Sequence, residues 1–309
     1  MNEETLRITR VESQVKVRLA PSVNGRENNP VKKATYAEVA DRARSVRAIL
    51  EERGIRLHQD STLGKLLRDA ENLVKDLDEG KKYDSTRRAI IAMHANRIAE
   101  AIIEVRADPA AYLCLERIAK KNVDLSLRLC SQGKDHLWEL VLLSFCRNHG
   151  LSAKLVDPPD IIIDLAGVNH PVACKKVYSE KSVEAQMRKG VKQLSAQSFI
   201  GGIVAFNLDD LTPEDVILEG LTYNETSDFL AKLNAAFIER HRRLFEKYVK
   251  EGRCDGVLIS TTVLAGLKLA DTHFNTMTQT MLWTLSSANA GTRARMSALQ
   301  MAFDGETDY

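Results

Sequence analysis

"PPDIIIDLAGVNHPVACKK", residues 158–176, sets aspartates at both ends of an isoleucine run and two lysines at the close of a second apolar run. Each run has the length and apolar content of a buried strand, and AGVNHP between them supplies the glycine and proline of a turn. Successive strand side chains face opposite ways. Asp160, Ile162 and Asp164 therefore share one face, and Ala173 shares a face with Lys175 while Val172 and Cys174 take the other. If the runs pair as a hairpin, Asp160 and Lys175 converge on one patch of sheet. Ionised groups there cost several kcal/mol unless they are paired or bound to metal. Taken singly, each residue has a plainer reading. Asp160 or Asp157 suits a turn around Pro158-Pro159, Asp164 suits a strand-end cap, and Lys175 and Lys176 suit a solvated strand end.

Outward from this stretch the segments alternate. Before it come a helical pattern over 135–150, stopped by Gly150, and a short strand over 151–156; after it come a helix over 182–197, a strand over 199–208, a long charged helix over 225–252 and a strand over 255–263. That order predicts an α/β domain, a mixed sheet flanked by helices. Residues 1–34 are polar, although LRITRVESQVKVRL (6–19) alternates enough to allow a strand or hairpin. Four helical patterns follow, over 35–54, 62–80, 85–105 and 110–129. The division falls near residue 130, with a mainly helical N-terminal module over 1–130 for oligomerisation or recognition, and the α/β domain over 131–309.

Two further polar residues raise the same question as Asp160. Glu139 sits in a helix apolar almost all round, from Leu137 to Cys146, and a buried carboxylate needs a partner. In the helix after the lysine strand, Gln186, Lys189, Gln193 and Gln197 form a polar stripe beside Val183, Met187, Val191 and Leu194, with Arg188, Lys189 and Lys192 pointing outward. A helix-face glutamine is commonly just solvated, and Glu139 also suits a structural ion pair.

Helix with Glu, strand with Pro-Asp, strand ending in x-x-Lys, then helix with Gln resembles the PD-(D/E)XK phosphodiesterase superfamily. The resemblance covers roughly residues 131–260, with Pro159-Asp160 as the PD element, Ala173-Cys174-Lys175 as (D/E)XK, Glu139 as the acid of the first core helix and Gln193 as the polar residue of the next helix. It implies a restriction-endonuclease-like fold and a metal-dependent endonuclease hydrolysing phosphodiester bonds in DNA. Mg²⁺, or Mn²⁺, would be held by Asp160, Glu139 and the main-chain carbonyl of Cys174, with Lys175 serving the attacking water and Gln193 supporting the site. Duplex DNA as partner, a homo-oligomer and a defence role follow by the same analogy. Ala173 departs from the pattern, because a methyl group binds no metal. Either the acid was replaced to leave the chain inactive, or a natural nuclease fold has lost it or moved it to Asp164 or Glu180; the intact set around it favours the first. Both expect poor cutting by this chain. The alternative is a catalytically dead nuclease fold that binds nucleic acid or serves as a scaffold.

Composition narrows the rest. The 309 residues carry 44 Lys plus Arg against 42 Asp plus Glu, yet six cations (Lys175, Lys176, Lys181, Arg188, Lys189, Lys192) crowd the proposed site, and Arg240, His241, Arg242 and Arg243 form a second cluster. Five scattered cysteines suggest reduced thiols and a cytoplasmic setting, and no apolar run is long enough for a membrane span. The seven histidines lack metal-ligand spacing; His170, in the turn before the lysine strand, could approach a phosphate. Gly201-Gly202 reads as close backbone packing rather than a phosphate loop, and no serine or cysteine nucleophile pattern occurs.

Overall fold

The computed structural model of the chain describes residues 7–10, 34–78, 85–196, 199–213, 216–220, 222–269 and 274–304. It forms two compact units, one comprising Met1–Leu137, Thr212–Lys232 and Thr262–Gln279, the other Trp138–Leu211, Leu233–Thr261 and Thr280–Tyr309.

The first unit is built on four helices, α1 (Tyr36–Glu52), α2 (Thr62–Asp78), α3 (Ser85–Glu104) and α4 (Tyr112–Lys120). Helix α1 starts where Thr35 and Glu38 cap each other reciprocally, so two end donors are satisfied at once. Its stripe Val39, Ala43, Val46 and Leu50 is buried, as are Leu63, Leu67 and Leu73 of α2 and Ile98 and Ile102 of α3. The fourth helix is shorter than its periodicity predicts. The Asn122 side chain accepts from Asp124 N at 2.7 Å and that of Asp124 from Ser126 N at 2.9 Å, and these local turns compete with continued helix. This unit also contains strand. β6 (Val216–Gly220) pairs antiparallel with β1 (Arg7–Arg10) and parallel with the second half of β7 (Gly256–Leu267). Of the strand or hairpin expected over 6–19, only β1 falls within the described residues.

The second unit is centred on β2 (Ser152–Leu155), β3 (Ile161–Leu165), β4 (Val168–Lys176), β5 (Ile203–Asn207) and the first half of β7, neighbours in that order. β2, β3 and β4 run antiparallel, and β4, β5 and β7 parallel. The fold is thus mixed α/β. On one face α6 (Val183–Leu194) and α7 (Tyr223–Lys250) pack onto Ala173, Val204, Phe206, Val257 and Ile259. Strand alternation turns Cys174 and Ala205 to the other face, where Trp138 of α5 (Gln132–Asn148) donates its indole N–H to the Ala205 carbonyl at 3.1 Å. Strand β8 (Phe274–Trp283), paired with β7, and helix α8 (Ala290–Asp304) complete the chain, and Phe303 of α8 meets Phe145 of α5 at 5.4 Å between ring centres. Neither β8 nor α8 was expected from the sequence; the threonine-rich FNTMTQTMLW has no apolar run to mark it. Among the described residues no helix is long and apolar enough to cross a membrane.

The β3–β4 hairpin fixes the register of the quoted stretch. Leu165 pairs with Val168, so the turn is only Ala166-Gly167, both with positive φ (50° and 84°), the conformation of a two-residue hairpin matched to strand twist. Asp164 accepts from Gly167 N at 2.8 Å and so closes this turn. Ile161 faces Val172, and one step further Asp160 comes opposite Ala173.

Candidate active site

Lys175, Gln193 and the Cys174 main chain meet around Asp160, and the charge of Glu139 acts on it. Its Oδ2 accepts from the backbone N–H of Cys174 at 2.6 Å and from Lys175 Nζ at 3.4 Å, and its Oδ1 accepts from Gln193 Nε2 at 3.0 Å. Lys175 Nζ also donates to the Cys174 carbonyl at 2.6 Å. The end of β4 thus offers one N–H and one ammonium to the carboxylate at the start of β3, while α6 reaches it from the side. Asp160 is 8 % exposed, whereas Asp157 is exposed, so Asp160 is not the solvated turn residue of this segment.

The electrostatics are unbalanced. The Asp160 pKa is raised from 3.8 to about 7, chiefly by burial and also by the neighbouring Glu139 carboxylate, against the pull of Lys175 and the Cys174 N–H. Gln193 adds an orphan: its Oε1 is buried and accepts no hydrogen bond, although its Nε2 is engaged. A cation or a water would satisfy that acceptor. Cys174 cannot act as a nucleophile here, because burial and the two carboxylates raise its thiol pKa well above 9.0.

Ala173 is not an open gap in this ring. It is fully buried and packs with Val177, Val183, Met187 and Val191. Beside it α6 lies so close to β5 that a Cβ on Gly190 would come 2.7 Å from Val204 Cγ1, which leaves little room for a longer side chain at 173. Neither suggested relocation supplies the acid. Asp164 is taken up by the hairpin turn at the far end of β3, and Glu180 is bound by Arg240 and His241, each at 2.6 Å.

Other expectations sort clearly. Lys176 is no solvated strand end: it is 6 % exposed and donates to Asp210 and Asn207, both at 2.5 Å. His170 does not lie open to a phosphate but is 3 % exposed, paired across the hairpin with Ile163, and burial lowers its pKa. His136, for which no ligand spacing was read, stands beside a cysteine after all, its Nδ1 3.7 Å from Cys114 Sγ. Gly201 and Gly202 do mark a close approach: Gly202 N donates to the buried Asp255 carboxylate at 2.8 Å, which Arg295 grips through two nitrogens at 2.8 and 2.6 Å. Sequence reading missed Asp255–Arg295 because 40 residues separate partners that neither repeat nor spacing connects. Four of the five free cysteines are buried and Cys130 is exposed. No protein-family model, no curated protein and no solved structure matches the chain.

Proposed function

We propose that the second unit is a restriction-endonuclease-like domain carrying a metal-dependent phosphodiesterase site of the PD-(D/E)XK kind, which acts on the DNA backbone. The observation that carries this reading is the meeting of Asp160, the Cys174 main chain, Lys175 and Gln193 from three elements, with Glu139 close enough to perturb the carboxylate. The donor set fits a hard divalent ion, since Asp160, Glu139, the Cys174 carbonyl and Gln193 Oε1 offer oxygen alone. Mg²⁺ or Mn²⁺, when bound, polarises a phosphoryl oxygen and lowers the pKa of water. The residues of the chain do the rest. Asp160 and Glu139 supply the negative charge that recruits the ion. Lys175, held by the Cys174 carbonyl, keeps a positive charge beside the phosphate and orients the attacking water. Hydrolysis then joins the hydroxyl of water to phosphorus, breaks the bond to the leaving oxygen and returns the proton to that oxygen.

Charge distribution supports a polyanionic substrate. Lys181, Arg188, Lys189 and Lys192 on and just before α6 are exposed, and no ion pair among the described residues holds them. In the second basic cluster three of the four members are paired, because Glu180 takes Arg240 and His241, and Glu239 and Glu246 take Arg242. Lys189 lies one turn before Gln193, so the free charge borders the site.

Ala173 favours a second reading, in which the fold binds nucleic acid without cutting it. Incubation of supercoiled plasmid with the full chain decides between them. The first reading expects nicking with Mg²⁺ or Mn²⁺ that stops in chelator; salt-dependent binding with no nicking under either ion leaves only the second. Changing Lys189 and Lys192 together to Gln should weaken DNA binding and flatten the plot of log affinity against log salt by about 2. Affinity indifferent to both salt and these substitutions would remove nucleic acid as the partner.

A further inference from the structure

Resting on that reading of the site, we infer that Gln193 Oε1 is the oxygen ligand that residue 173 does not provide, so that helix α6, rather than the side chain at position 173, completes the oxygen set begun by Asp160 and the Cys174 carbonyl. Three observations carry this. The Gln193 amide is oriented by its own chemistry, because only the NH₂ end can donate to Asp160 Oδ1, 3.0 Å away, and that bond fixes the carbonyl end on the same amide group, a bond length or two from the carboxylate's partner. That carbonyl oxygen is buried with nothing to accept from, and an orphan acceptor in a folded interior costs about 1–3 kcal/mol unless a ligand or water meets it. Position 173, where the resemblance expects the acid, is instead closed by packing against α6 at the level where Gly190 touches Val204. A glutamine is a neutral ligand where the expected residue is an anion. The site then holds two carboxylates, Asp160 and Glu139, and two neutral oxygens, from Cys174 and Gln193, a set suited to a divalent ion that keeps part of its water.

Calorimetric titration of Mn²⁺ into the full-length protein, free of nucleic acid, tests the assignment without reference to cleavage. Relative to the unsubstituted chain, Gln193→Leu should weaken Mn²⁺ about tenfold or more, and Gln193→Glu, which offers the ion a carboxylate in place of an amide oxygen, should tighten it by a similar factor at about pH 8. Ala173→Glu should not tighten it, because its carboxylate enters the apolar cluster. A leucine variant that binds like the unsubstituted chain, a glutamate variant that binds no tighter, or tighter binding by Ala173→Glu each overturns the assignment. Failure of the underlying reading looks different, since then the unsubstituted protein takes up no Mn²⁺ or Asp160→Ala takes it up equally well. The Gln193→Glu arm depends on a gain, so a poorly folded leucine variant cannot decide the outcome.

Discussion

Asp160→Asn is expected to abolish divalent-cation binding, to lower plasmid nicking by about three orders of magnitude, and yet to raise the melting temperature in metal-free buffer at about pH 8. The gain in stability follows from the direction of the pKa shift. Asp160 has its pKa raised from 3.8 to about 7 on folding, chiefly by burial. Below about pH 4 folded and unfolded chains both hold the proton, and nothing is lost. As the pH rises toward 7 the unfolded chain has released the proton while the folded one retains it; above 7 the folded chain must ionise a buried carboxylate beside Glu139. Stability therefore falls across this window, on the order of a few kcal/mol. Asparagine has no charge to bury, its single oxygen can still accept from Cys174 N, and its amide NH₂ can donate to Gln193 Oε1 once the Gln193 amide turns over. Melting curves of the two proteins should nearly coincide at about pH 4 and separate by roughly 5 °C or more at about pH 8, the asparagine form being higher. Mn²⁺ should close the gap by stabilising only the aspartate form. Identical melting at both pH values, or equal stabilisation of both proteins by Mn²⁺, would show that Asp160 is an ordinary structural carboxylate.

This opposition between stability and charge was partly legible in the sequence. Period-two alternation and a two-strand reading suffice to bring Asp160 to Lys175, because a hairpin leaves few registers once one face is buried. Glu139 and Gln193 stood out by simple patterns, a carboxylate within an apolar helix and a polar stripe beside an apolar row, but their assignment to the Asp160 site came from the resemblance. What the pattern could not supply was depth. Lys175 and Lys176 are adjacent and chemically alike, yet one reaches the Asp160 carboxylate and the other is sealed against Asp210, since strand alternation assigns them opposite faces whose covering residues lie far along the chain. Ala173 was read as a missing acid because the (D/E)XK pattern places one there, whereas its surroundings are set by Gly190 and Val191 on a helix whose approach no local rule encodes. Strand β8 escaped notice for a related reason: its alternation of threonine and methionine is weakly apolar, and its strand character comes from pairing with β7.

The buried pair next to the site is expected to be the most sensitive point of the second unit. Lys176 and Asp210 have side chains only 4 % and 3 % exposed, and the ammonium also binds Asn207 Oδ1, whose residue caps β5 and receives the N–H of Val177 on its backbone carbonyl. Lys176→Met keeps most of the aliphatic volume but leaves Asp210 in the interior without its cation. Removing one member of a buried pair costs about 3–5 kcal/mol, most of it the penalty of the stranded charge rather than the value of the lost attraction. Asp210→Leu should cost a similar amount for the mirrored reason. The double variant Lys176→Met/Asp210→Leu, which removes both charges, should recover much of that loss, and urea unfolding of the four proteins measures the coupling directly. Single substitutions costing less than about 1 kcal/mol would mean that water reaches the pair in solution, and additive costs in the double variant would mean that the two charges do not stabilise each other. Because the pair anchors the residue that follows Lys175, its loss should also reduce nicking. Addition of Mn²⁺ should restore little of that activity, since the defect lies in the placement of the β4 end rather than in the oxygen ligands.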